Sequence, residues 1–215
     1  MPKPGAKRVL LYVFSLVVLA LGITLNTKTQ LGVSCIVSVP YCVSQLLALP
    51  LGLTTVVYYL LLIGLQKLLL RGDFHPLQYL QIIASLLTSL FIQGWDMLLP
   101  LFSPLWLRIA ALVLGIVITA LGASLSLALD IVPNPADGLA HAVGKTLNRD
   151  VGLGKNLIDL ASIAISLALG LLFAGGVLGI GPGTICAMLL TGRVMAVVHP
   201  HSLKLSKSLE TPPKA

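Results

Sequence analysis

The chain has 215 residues, 57% of them hydrophobic and only 10% charged, with a mean hydropathy of +1.00, whereas soluble domains are about 25% charged. This excludes a soluble globular domain and predicts an all-α integral membrane protein, since a helix needs about 20 apolar residues to cross the hydrocarbon core. The net charge of +7 does not imply nucleic acid, because the basic residues gather at the ends of apolar runs.

Six spans are predicted, over residues 9–25, 51–70, 77–97, 105–129, 151–178 and 180–198. With the N-terminus in the cytoplasm, all of the 14 Lys and Arg except Lys28 and Arg108 fall at cytoplasmic ends. This is the positive-inside pattern and predicts both termini inside.

The first span is uncharged and follows Lys3, Lys7 and Arg8, as a secretory signal would. It runs into Asn26-Thr27-Lys28 rather than a small-x-small cleavage site, so it is read as a span. Residues 31–49 (LGVSCIVSVPYCVSQLLAL) are too short to cross the bilayer and too apolar for a solvated loop. With Ser34, Ser38, Pro40, Ser44 and Gln45 they are expected to form a broken, re-entrant segment, which is tolerated where protein or a watery cavity covers the backbone. An amphipathic helix lying in the interface is the alternative. Cys35 and Cys42, on one helix, would stand about 10 Å apart, beyond disulfide reach. With Cys186 they are read as small packing residues.

The second span opens Gly52-Leu53-Thr54-Thr55 and ends in Gln66-Lys67. On the third, the spacing of Gln78, Gln81, Ser85 and Ser89 puts them close to one helical face, which must point inward. Trp95 and Trp106 are expected as interfacial aromatics. The fourth carries Ala111, Gly115 and Thr119 as a small-residue ladder suited to close helix approach.

Then comes the stretch that concentrates the polar groups. It meets Asp130, Pro133 and Pro135, restarts at Asp137-Gly138, and re-enters apolar sequence carrying Lys155 and Asp159. The sixth span opens with Gly181, Pro182, Gly183 and Thr184; these make either a helix N-terminus facing an anion or plain turn chemistry. Residues 200–215 are expected to be a basic, disordered cytoplasmic tail.

An internal echo organises the chain. ALGITL at 20–25 returns as ALGASL at 120–125, and Gly52-Leu53 as Gly152-Leu153, in both cases 100 residues later. Gln93-Gly94-Trp95 falls opposite Thr191-Gly192-Arg193, so that Asp96 and Arg193 would close the two halves. Each repeat, about 8–98 and 105–198 within one membrane domain of residues 1–199, holds three spans and a broken segment. Three is odd, so the second repeat must enter the membrane from the other side. That is the inverted-repeat layout of many secondary transporters, with the solute near mid-membrane between the repeats.

Gly144-Lys145-Thr146 is not a phosphate loop, since Gly138 sits one residue too early and no strand precedes it. His199 and His201 lack a carboxylate cluster, and no nucleophile, base and orienter can be assembled, so neither an enzyme nor a metal or cofactor site is expected. Asp159 is the most informative residue, because a carboxylate within a span is costly and faces the interior with a partner. Lys155, one turn earlier, is the expected partner; an exposed helix-end pair is the bland alternative. The candidate solute- or ion-binding residues are Asp137, Gly138, Lys155, Asp159, Gly181, Gly183, Thr184, Ser34 and Gln81.

The segments LGVSCIVSVPYCVS, GLTTVVYYLLL, PADGL, the Lys155 and Asp159 pair, and GPGTICAMLLTG together resemble the YczE-like bacterial membrane proteins, relatives of the YitT group. The resemblance runs to about Val198. It implies a multi-spanning protein of the bacterial inner membrane, with transport suggested, and marks Pro135, Asp137, Gly138, Lys155, Asp159, Gly183, Thr184 and Gly192 as family-like positions. Arg193 departs from the apolar residue usual there.

The expected function is that of a small-solute transporter or permease. The alternatives are a substrate-capturing subunit of a multi-component transporter and a non-transporting accessory protein. The expected partners are the bilayer, an unidentified small solute or ion, and a second copy or a membrane partner subunit.

Overall fold

The structure, a computed structural model, describes residues 5–208, which form eight α-helices and no strand. They are α1 (Ala6–Lys28), α2 (Cys35–Leu47), α3 (Leu51–Leu70), α4 (Leu80–Leu98), α5 (Leu105–Leu129), α6 (Pro135–Thr146), α7 (Val151–Leu169) and α8 (Pro182–Ser208). With their flanking turns, all but α2 and α6 are long and apolar enough to cross a membrane, which makes six. The protein is thus a multi-pass, all-helical membrane protein in its architecture.

Local chemistry sets the helix limits. Pro50 and Pro104 stand just before α3 and α5, and Pro135 opens α6 behind Asn134, whose side chain accepts from the Ala136 N–H at 3.0 Å. A proline costs nothing at a first helical position, where the N–H has no partner anyway. Left-handed residues end α2 and α5, at Ala48 (φ 52°) and Asp130 (φ 46°). α7 runs into a π-helical turn, Gly170–Ala174, closed by Gly175 in the left-handed region.

The centre of the bundle is the antiparallel pair α1 and α5. Gly22 faces Thr119, Gly122 faces the backbone of Leu19, and Gly115 faces Asn26. A Cβ at Gly22 or Gly122 would overlap backbone atoms of the other helix, so the approach exists because these positions lack one. Arginines clamp both ends: Arg8 donates from Nε and Nη2 to the Leu129 carbonyl at the end of α5, while Arg108 donates to Thr29 O and, at 2.8 Å, to Gln30 O beyond α1. Each satisfies helix-end carbonyls that have no partner within their own helix.

α4 packs on α1 and α8 on α5, while α3 packs on α4. The two short helices cross over: α2 lies along α7 and α6 along α3. Ser38 donates to Ser162 O at 3.3 Å and Ser166 to Ser38 O at 3.1 Å, joining α2 to α7. Tyr59 and Leu62 of α3 share an apolar cluster with Ala136, Leu139 and Ala140 of α6 and Ile158 of α7, and Ile36 of α2 packs against it.

The arrangement of the helices corrects three expectations. Pro40 does not break the first polar segment: it lies buried inside a continuous α2, and the irregular backbone falls on either side, at residues 29–34 and 48–50. An internal proline removes one helical hydrogen bond, and the helix continues through it. Residues 200–208 are helical rather than a disordered tail, because α8 continues through Pro200 to Ser208; residues 209–215 lie outside the described residues. Arg193 is consequently in the interior of α8 and does not close a span as Asp96 does. Of the two tryptophans expected at the interface, Trp95 near the end of α4 is half-buried and its indole N–H donates to Val17 O at 3.3 Å, whereas Trp106 is exposed.

Candidate functional site

The nine candidate residues fall in three places. Asp137 lies in the first turn of α6, and Lys155 and Asp159 lie one turn apart on α7. The expected Lys155 and Asp159 pair is corrected here: the ion pair is between Lys155 Nζ and Asp137 Oδ1, at 4.0 Å, with the two side chains 47% and 38% exposed. Lys155 remains within electrostatic reach of Asp159. Helix spacing makes 155 and 159 neighbours on one α7 face, but the close packing of α6 on α7 through Gly154, which abuts the Ala140 carbonyl, brings Asp137 nearer.

Gln81 and Gly138 belong to a second, fully buried group. Gln66 and Gln81 are both 0% exposed and exchange two amide hydrogen bonds of 3.1 Å. The Gln66 amide also donates to Pro135 O at 2.9 Å. A Cβ at Gly138 would stand 2.5 Å from Gln66 Oε1 and would push the paired amides aside. Buried amides matched in this way are rigid, and removing one leaves the other's desolvated groups unpaired. Gln66 was read only as part of a span end; a glutamine inside an apolar run was the available signal.

Gly181, Gly183 and Thr184 make the third group. Gly183 N–H donates to Leu31 O at 2.8 Å, Val33 N–H to Gly179 O at 2.8 Å, and Gly181 N–H to Thr184 Oγ1 at 3.3 Å. The linkers before α2 and before α8 are thereby zipped together. They border a cavity of about 420 Å³ lined by Thr27, Gln30, Leu31, Gly32, Tyr41 and Ile180 among others. Gly32 holds φ 123° and would clash there with Thr184 if it carried a Cβ, a pairing no local sequence signal announces. Ser34 caps α2 next to this cavity, without a side-chain capping bond.

Two hydroxyls complete the surroundings of Asp159. Tyr58 Oη and Ser162 Oγ are 3.0 Å apart, one turn along α7. Among the described residues no group of three or more His, Cys, Asp or Glu is arranged to hold a metal ion.

The chain matches no curated protein and no solved structure. The resemblance to the YczE-like and YitT-related proteins gains no support from these comparisons, in which nothing ties the chain to either group. What residues 6–200 do match is the model of a family described as a family of unknown function (DUF6198), and the chain belongs to that family.

Proposed function

We propose that the protein is a small-solute transporter of the bacterial cytoplasmic membrane, with both termini inside. On this reading residues 8–98 and 105–198 are repeats inserted in opposite senses, and α2 and α6 are re-entrant half-helices. The observation that carries it is reciprocity at a constant offset. α2 of the first half packs on α7 of the second, and α6 of the second on α3 of the first. Arg8 reaches Leu129 O, and Arg108, 100 residues later, reaches Thr29 O, 100 residues earlier.

An antiparallel α1 and α5 is what inversion requires, since equivalent helices then run opposite ways. At 13 and 12 residues, α2 and α6 are about 20 and 18 Å long at 1.5 Å per residue, too short for a core of about 30 Å. Discontinuous helices meeting at the interface of inverted repeats are the usual setting of a transporter's solute site, and irregular backbone at that depth needs a protein or water-filled lining. The half-exposed charges Asp137 and Lys155 suit such a lining better than a lipid-facing surface.

The test is reconstitution. Purified protein in liposomes, without partners, should accumulate at least one member of a panel of radiolabelled small solutes against protein-free controls. Binding without uptake would replace this reading by the substrate-capturing subunit, and neither binding nor uptake by the accessory protein.

A further inference from the structure

Resting on the transporter reading, we infer that the open face of α7 and the first turn of α6 form a binding site for a solute or ion carrying a single positive charge. Positions 100 residues apart differ in kind here. In the first half, Val37 on α2 and Thr55, Tyr59 and Ile63 on α3 are 0%, 0%, 1% and 5% exposed, and α4 packs along α3. The same positions in the second half are Asp137 on α6 and Lys155, Asp159 and Ile163 on α7. They are left open: α7 and α8 make no extended contact, Lys155 and Asp137 are about half exposed, and Asp159 and Ile163 are half-buried. A stripe that is sealed and uncharged in one half is open and carries three charges in the other.

The correspondence argues that these charges line a watery space rather than lipid. The spacing of Lys155, Asp159 and Ile163 keeps them on one face of α7, and the matching face of α3 is the one turned inward. Ionisable groups within spans sit on such faces with partners. Yet the partners do not balance. The single ammonium of Lys155 pairs with Asp137, while Asp159 has neither ion pair nor side-chain hydrogen bond among the described residues. Two carboxylates against one ammonium leave room for one positive charge. The Tyr58 and Ser162 hydroxyls, one turn on, add neutral oxygens beside it.

Full-length protein in detergent, titrated calorimetrically with methylammonium, tetramethylammonium and sodium chlorides and with acetamide as a neutral probe, tests this. At least one cation should bind and acetamide should not. Binding of the amines would mark a cationic solute, and of sodium alone a coupling ion. Asp159→Asn should weaken the binding about tenfold or more, the factor for losing one charge-assisted hydrogen bond, and Asp159→Glu should restore it, which a purely structural role would not produce. Failure of all three cations to bind, or undiminished binding in Asp159→Asn, overturns the site. Uptake of a neutral or anionic solute that Asp159→Asn leaves intact would remove the site but keep the transporter reading. Cation binding without any uptake would do the reverse.

Discussion

The helix pairs α3 with α4 and α7 with α8 begin about 100 residues apart in the chain and are built to opposite effect. Between α3 and α4, Gly52 lies against Ser89 O and Gln93, its N–H donates to Gln93 Oε1 at 3.0 Å, and no Cβ would fit. Lys28 and Asp96, an ion pair of 2.9 Å, tie the end of α4 to α1. Among the described residues a Cβ at Gly152, 100 residues after Gly52, would meet only the nearby Asp150 side chain, and α8 is held instead to α5, where Ser124 donates to Ser202 Oγ at 3.0 Å. Hydropathy does not explain the difference: the span containing α7 is the more apolar, 2.3 against 1.8, yet 22% buried against 39%. Among lipid tails an apolar side chain gains little by leaving one apolar neighbour for another, so small residues and satisfied polar contacts decide which helices close.

The sharpest way to break this comparison is to fill the two glycines. Gly52→Leu should destabilise the protein by about 1–3 kcal/mol or more through overpacking, read as a fall in melting temperature in detergent, while Gly152→Leu should leave it near wild type. Equal effects would mean that the α7 and α8 seam is packed as tightly as the other. The two arginine clamps, 100 residues apart, make matching contacts at opposite ends of the α1 and α5 pair. Arg8→Ala and Arg108→Ala should each cost about 1.5–3 kcal/mol, the range for hydrogen bonds to charged groups, and by similar amounts; a large inequality in chemical denaturation would show that the reciprocal clamps are not equivalent. The smallest effect is expected at the exposed Lys145 and Asp73 pair, 2.8 Å apart. Exposed ion pairs contribute little, so Lys145→Ala should leave the melting temperature unchanged, and a clear drop would reveal a role for this contact in holding α6 against the end of α3.

Much of the helical layout was legible in the residues because it depends on local chemistry. Two spans, 51–70 and 105–129, coincide with α3 and α5, since proline punctuation and left-handed stops act within a few residues. The sixth was cut short at residue 198 because a His-Pro-His run reads as a terminus, whereas the helix carries through Pro200 with Ser202 and Ser206 buried. Of the candidate site, Asp159 stood out as a charge whose cost in a span demands an explanation, Lys155 as its expected partner one turn earlier, Asp137 as a charge in the polar stretch between spans, and Gln81 through its helical face. Gln66, Tyr58 and Gly32 did not, because their roles lie in residues far along the chain.

The sequence by itself determined the number of spans, the places where helices start and the identity of the expensive polar groups, all of which follow from composition and spacing within one or two turns. Only the tertiary structure decided that Asp137 rather than Asp159 is the ion-pair partner of Lys155, that Trp95 turns inward to Val17, and that the seam sealed around Gly52 stands open beside Gly152. Those outcomes depend on which faces of different helices meet, and in an apolar medium that choice rests on a few glycines and hydrogen bonds that hydropathy does not encode.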